Sequence, residues 1–250
     1  MNELFNLPIS LKPRDHLTVL PVSVIEISAS INGIREESGH DQESSRSGFS
    51  QFPHEITETC AQLFLRDCKH VVDPFAGWGE RGDAMKRNGL KYSGYDLSDD
   101  AIKSAKERYD VDNIKADSRL VDVPIHDGLL TCPPYWDLEQ YQGNGLDKVQ
   151  SWNGFLNEYR EVLSRFARKA ERGSTYCIAS GDWRDKGIYY DLTFQTELIL
   201  KELGFIPHDK VIISRLLISK VKIMIPQAKR LGYTVKVHET LSVFKKHNLL

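Results

Sequence analysis

The 250-residue chain has only four cysteines, Cys60, Cys68, Cys132 and Cys177. None forms a Cys-x-x-Cys pair and no His/Cys cluster has zinc-ligand spacing, so neither a disulfide scaffold nor a structural metal is expected. No apolar run approaches the ~18 residues of a membrane-spanning helix. The first residues, MNELFNLPISLKPRD, lack the basic start and apolar core of a signal peptide. Internal repeats and low-complexity tracts are absent as well. These absences predict reduced thiols, no membrane association and a cytoplasmic location. An overall basic excess is also missing: 33 Lys and Arg stand against 35 Asp and Glu, for a net charge of −2.

What is present is the composition of a soluble globular chain, 40% hydrophobic and 27% charged. The length suits one large domain with a substantial core. Charge is unevenly placed. Residues 201–250 carry ten Lys or Arg and three Asp or Glu, which points to one face near the C-terminal part that meets an anion. Residues 28–51 are polar and rich in Ser, Glu and Gly. Nothing in them can bury a core, so residues 1–51 read as an N-terminal segment ending in a mobile loop.

Beyond residue 52 the chain alternates between two periods. Strands are expected at 70–73, 91–95, 113–116, 128–132, 175–180, 211–214 and 240–244. Helices are expected at 53–65, 79–88, 98–108, 151–169 and 192–203, with Ser98 as an N-cap and Gly89 and Gly204 as stops. Such alternation with short links predicts an α/β fold, a mainly parallel sheet of seven strands with helices on both faces. Ligands of such sheets bind at the carboxyl ends of the strands, so the loops leaving the strands carry the functional information.

Two of these loops stand out. After the first strand comes Asp73-Pro74-Phe75-Ala76-Gly77-Trp78-Gly79, opening a helix. Gly77 and Gly79 let backbone approach a ligand. The next strand ends in Asp96, where an acidic side chain can take the two hydroxyls of a ribose. A dinucleotide fingerprint also aligns, on Gly77, Gly79 and Gly82, but Asp-Pro-Phe is foreign to it. The second loop is Cys132-Pro133-Pro134-Tyr135-Trp136. Paired prolines fix the backbone and leave carbonyls free to accept. A rigid carbonyl beside an aromatic face suits a planar group bearing an amino donor.

These residues carry a resemblance. Asp-Pro-Phe-x-Gly-x-Gly resembles the S-adenosylmethionine (SAM) loop of DNA amino-methyltransferases, and Cys132-Pro133-Pro134-Tyr135 is similar to their Asp/Asn/Ser-Pro-Pro-aromatic signature. The run Cys132 to Tyr141, with Asp137, Leu138 and Glu139 after Trp136, resembles phage-associated DNA methylases that carry Cys-Pro-Pro-Tyr. Matching pieces also occur at Arg81-Gly82, at Gly181 to Gly187 and at Lys236 to Phe244. The resemblance implies a Rossmann-like class I SAM-dependent methyltransferase fold as a single domain, with a cofactor half at 52–127 and a catalytic, DNA-contacting half at 128–250. It further implies SAM as cofactor, double-stranded DNA as partner, and a flipped base methylated on its exocyclic amine, adenine N6 slightly ahead of cytosine N4. Phe52, Asp73, Phe75 and Asp117 become residues lining the cofactor pocket on the same ground.

Cys132, Pro133, Pro134 and Tyr135 are then the catalytic loop, with Tyr135 stacking on the base. Trp136, Glu139, Asp182 and Arg184 are expected to border the substrate cleft. Arg215, Lys220, Lys222, Lys229, Arg230 and Lys236 are expected on a loop contacting DNA phosphates. Three tryptophans on strand-end loops, Trp78, Trp136 and Trp183, favour a ligand-facing role. The departure from the family is Cys132, because a thiol is a poor acceptor. An RNA adenine methyltransferase, a protein glutamine methyltransferase, a non-catalytic relative that keeps the fold and a dinucleotide dehydrogenase are the other readings. Little chain is left for base reading, so specificity is either short and loose or shared with a second copy in a homodimer.

Overall fold

The computed structural model describes residues 17–27, 52–136, 145–214 and 219–247, without the side chains of 219–222. The expected loop at 28–51 and most of the run after Trp136 lie outside the described residues. The central sheet has eight strands: β1 (Val24–Glu26), β2 (His70–Asp73), β3 (Lys91–Asp96), β4 (Ile114–Lys115), β5 (His126–Thr131), β6 (Ala170–Ser180), β9 (Phe205–Ser214) and β10 (His238–Lys246). Their order across the sheet is β1-β9-β10-β6-β5-β2-β3-β4. A separate two-stranded hairpin joins β7 (Trp183–Asp185) to β8 (Ile188–Tyr190).

The seven expected strands are all present, and the eighth, β1, adds parallel to β9 at one edge. All pairings are parallel except those of β10, which runs antiparallel to β6 on one side and β9 on the other.

Alternation along the strands sends neighbouring side chains to opposite faces. Val72, Leu129, Tyr176, Ile178 and Phe244 enter one core, whereas Val71, Leu130, Cys177, Leu241 and Val243 enter the other. The first face is covered by α4 (Trp152–Lys169) and α5 (Leu192–Glu202). In α4, Phe155, Tyr159, Val162, Leu163 and Phe166 recur at helical spacing and are fully buried. The Ser151 hydroxyl accepts from the Gly154 N–H at its start. The second face is covered by α1 (His54–Thr59), which widens into a π turn at Cys60–Phe64, and by α2 (Glu80–Arg87). At one end lies α3 (Asp99–Tyr109), capped by Ser98 as expected.

Two expectations need correction. The basic stretch 215–236 was expected as a loop, but residues Ser219–Leu231 form a helix, α6, that contains Pro226. Proline inside a helix gives up one backbone hydrogen bond, and the surrounding Lys, Ile, Met, Gln and Ala residues sustain the turns on either side. Trp183 was expected on a strand-end loop and instead opens the β7–β8 hairpin. Lys186 and Gly187 both take positive φ, 45° and 85°, the pairing that a tight two-residue hairpin turn requires. Among the described residues no helix is long and apolar enough to cross a membrane.

Candidate active site

Side chains from β2, β3 and β5 converge at Asp73. Its Oδ1 accepts from the Phe75 N–H at 3.0 Å and the Thr131 hydroxyl at 2.6 Å. Its Oδ2 accepts from Arg81 Nε at 2.6 Å and the Tyr92 hydroxyl at 3.0 Å. The Asp73 side chain is fully buried and Arg81 nearly so. Burial opposes the Arg81 charge, but the Asp73 carboxylate outweighs it and holds the guanidinium above its ordinary value. Arg81 also donates to the Phe75 carbonyl and lies over the Phe52 ring, 4.9 Å from its centre. Asp73 therefore ties three strands, the loop and α2 together from behind. It does not line the pocket, as had been expected, because four donors converge on it from inside.

The loop itself is held by its neighbours. Asp96 Oδ2 accepts from the Gly77 N–H at 2.7 Å, and Asp96 Oδ1 from the Ser98 N–H at 2.8 Å. Asn113 donates to the Gly77 carbonyl and Ser118 to the Pro74 carbonyl. Burial raises the Asp96 carboxyl above the ordinary carboxylate range, against the pull of its two backbone donors. The glycines divide their roles differently from the sequence reading. A Cβ on Gly79, at φ +105°, would stand 2.8 Å from the Ala105 Cβ, so that glycine admits α3 rather than a ligand. Gly94, which drew no attention in the sequence, lets the loop lie on β3: a Cβ there would stand 2.7 Å from Ala76 and 2.4 Å from Asn113 Oδ1.

A pocket of about 1060 Å³, open mouth included, lies over these strand ends. It brings together Phe52, Phe75, Gly77, Asp96 and Asp117 from one half of the chain with Cys132, Pro133, Pro134 and Tyr135 from the other. Asp117 is held bidentately by Arg119, at 2.9 and 2.6 Å. Burial works to raise its carboxyl, but the Arg119 hydrogen bonds prevail and hold it below the ordinary range. Trp78 and Arg81 also line the pocket. So do Gly145 to Asp147, and with them Glu80, Leu97 and Glu239, which the sequence reading did not assign to the site. Leu97 adjoins Asp96 and could have been found from that neighbour. Glu239 comes from the far end of the chain, and only topology brings it here.

Other candidates lie elsewhere. Trp136 turns inward at φ 42°, donates from its indole N–H to the Val149 carbonyl at 2.7 Å, and packs on Trp152 and Tyr190. Trp183 stacks on Tyr190 and lies 6.1 Å from the Tyr135 ring. Of the three tryptophans, only Trp78 lines the pocket. Trp183 braces Tyr135, and Trp136 joins Trp152 and Tyr190 in the aromatic cluster beside it. Asp182 accepts from the Thr193 N–H and the Tyr189 hydroxyl, and so caps α5. The Arg184 guanidinium lies over Tyr189 and Tyr233, and Lys236 over Tyr189. Asp182 thus ties the hairpin to α5, Arg184 and Lys236 tie it to the segment after α6, and none of the three lines the pocket. Lys229 and Arg230 are exposed in the last turn of α6. Lys220 and Lys222 lie in its first turns with undescribed side chains, while Glu139 and Arg215 fall outside the described residues.

No sequence profile of a known protein family matches the chain, and no curated protein sequence matches it. Solved structures do. The [4+2]-cyclase SpnF superposes with a TM-score of 0.55 at 15% identity, over 78% of this chain and 81% of that one. Magnesium protoporphyrin IX methyltransferase from Synechocystis PCC 6803, crystallised with bound SAM, gives 0.50 at 11% identity over 77% and 79%. TrmN from Thermus thermophilus gives 0.49 at 16% identity, and this chain spans only 48% of its length. A cyclase and a methyltransferase sharing one architecture show that the fold leaves the reaction open. The chain has the Rossmann-like fold of SAM-dependent methyltransferases.

Proposed function

We propose that this protein transfers a methyl group from SAM to the exocyclic amine of a DNA base, with adenine N6 favoured over cytosine N4. The observation that carries the reading is the meeting, in one pocket, of the Cys132-Pro133-Pro134-Tyr135 loop with Phe52, Phe75, Gly77 and Asp96. The pocket fits a nucleoside cofactor: it has apolar walls, and each Asp96 oxygen accepts one backbone N–H, leaving acceptor capacity for ribose hydroxyls. When bound there, SAM supplies an electrophilic methyl group.

The protein's own residues present the acceptor. The Pro133 carbonyl holds an amine N–H and draws the nitrogen out of conjugation with its ring. Tyr135, braced by Trp183, stacks on the flipped base, a contact worth about 1–3 kcal/mol. The Cys132 Sγ lies 3.7 Å from the Tyr135 hydroxyl and 4.0 Å from the Pro133 carbonyl, folded back over its own loop. Exposed Lys229 and Arg230 belong to the basic stretch that meets phosphates, so binding weakens as salt rises.

The test is transfer from labelled SAM to unmodified duplex DNA, then nuclease digestion and mass spectrometry of the nucleosides. N6-methyladenine is expected. N4-methylcytosine keeps the amine chemistry and changes the base. Label found only in RNA or protein overturns DNA as substrate, and failure to bind SAM overturns the whole reading. Tyr135→Ala is expected to abolish transfer while SAM binding persists.

A further inference from the structure

Glu239 is the one pocket carboxylate that arrives from the C-terminal strand. Because β10 runs antiparallel, its first residues lie beside the last residues of β6 and β9: Thr240 pairs with Ser180, and Glu239 with Ile213. Gly181 follows β6 directly. The point where a Cβ on Gly181 would stand is 3.3 Å from Glu239 Cγ and 3.6 Å from the Tyr135 hydroxyl oxygen. The Cys132 sulfur is 3.7 Å from that same hydroxyl. Cys132, Tyr135 and Glu239 thus close around one spot, and the bare Gly181 keeps it open.

The chemistry of this spot is incomplete without Glu239. A methylated amine must shed a proton, and a backbone carbonyl accepts a hydrogen bond without taking the proton away. A thiol is a weak acceptor. The other pocket carboxylates stand at other places in the wall, Asp117 in the grip of Arg119. Asp73 is enclosed by four donors behind the pocket wall. Asp96 holds the Gly77 and Ser98 N–H groups. Asp147 pairs with Lys148 and packs on Gly145, which adjoins Leu97. Glu80 opens α2 immediately after the glycine loop.

We propose that Glu239 is the proton acceptor for the amine at this site, supplying the carboxylate that Cys132 does not. The inference rests on the amine-methyltransferase reading above. The amine nitrogen bonds to the methyl carbon as the methyl–sulfur bond breaks, and the bonding electrons stay on sulfur and cancel its charge. The nitrogen then carries one proton in surplus, which passes to a Glu239 oxygen and on to water.

The experiment compares the wild-type chain with Glu239→Gln, which keeps shape and removes the acceptor. Three quantities are read: kcat on unmodified duplex DNA, KM for that DNA, and the Kd for SAM by titration calorimetry without DNA. A general base contributes ~100-fold or more, so kcat is expected to fall by at least that factor while KM and Kd stay within about threefold. An unchanged kcat overturns the proposal and leaves the methyltransferase reading standing. A loss of SAM binding together with activity assigns Glu239 to the cofactor site and overturns it too. A wild-type chain that binds SAM but methylates no DNA amine overturns both.

Discussion

Replacing Asp73 by asparagine keeps the shape of the side chain and removes its charge, at a point where Arg81 is almost wholly enclosed. The guanidinium cannot discard its proton, since Arg is protonated at all ordinary pH. Breaking a buried pair from one side costs about 3–5 kcal/mol. The amide adds a second cost. Its NH2 must face either the Phe75 N–H and the Thr131 hydroxyl or the Arg81 Nε and the Tyr92 hydroxyl. The hydroxyls can rotate, but each side also holds an N–H that cannot, so one donor is stranded at ~1–3 kcal/mol. Against a total stability of about 5–15 kcal/mol, the variant sits near the limit of folding. For a chain this long each kcal/mol moves Tm by roughly 2–4 °C, so the combined cost of about 4–8 kcal/mol lowers it by about 8–30 °C. The double variant Asp73→Asn/Arg81→Met removes the stranded charge and is expected to recover part of the loss, because the pair acts as a unit. Calorimetric melts and urea midpoints of the wild type, both single variants and the double variant provide the measurement. An Asp73→Asn chain within about 1 kcal/mol of wild type, or a double variant no better than it, refutes the reasoning.

Four further outcomes are expected. Gly79→Ala forces a Cβ to 2.8 Å from Ala105 at φ +105° and should cost roughly 2–4 kcal/mol from crowding and left-handed strain together. Gly89→Ala, at φ +73° with open space around it, meets strain alone and should cost about 1–2 kcal/mol in the same urea titration. His126 donates through Nδ1 to the Pro124 carbonyl and accepts the Tyr176 hydroxyl at Nε2, and burial pushes its pKa from 6.5 down to about 4. Its stabilisation is therefore complete above pH 6.5 and is lost as pH falls toward 4, by on the order of 3 kcal/mol. Urea midpoints at several pH values should show that slope, and His126→Phe should flatten it. Asp96→Asn leaves one of the two backbone N–H groups without a carboxylate oxygen and weakens the ribose acceptor. It should raise the Kd for SAM about 10–100-fold in calorimetry without DNA.

The parts of the fold that could be read from sequence are those whose causes are local. His70–Asp73 is a buried four-residue strand, Ser98 caps its own helix, and α4 shows its apolar face in its spacing. What stayed hidden depends on distant chain. Val24–Glu26 is a strand only because β9 offers an edge, and Pro226 disguised α6. The pocket-lining residues on the two diagnostic loops were legible because their backbones are dictated by Gly and Pro. The direction in which Asp73 and Trp136 point was not. Each is turned inward by partners remote in sequence: Thr131 and Tyr92 for the first, Tyr190 for the second. Glu239 lies in the matching piece Lys236 to Phe244, but nothing local points it at the site, and its place follows from the reversal of β10.

That reversal has a consequence for assembly. β10 is the last strand described, yet it stands inside the sheet, between β6 and β9. β9 and β1 hydrogen-bond to the rest of the sheet only through it. During synthesis the strands from β4 to β6 can pair in turn, whereas β9 and β1 have no sheet to join until residue 246 has been made. Such a late, long-range closure slows folding. It also means that a ribosome-bound chain holds the glycine loop and the Pro-Pro-Tyr loop without the wall that β10 completes. The pocket is closed by the last of the described strands.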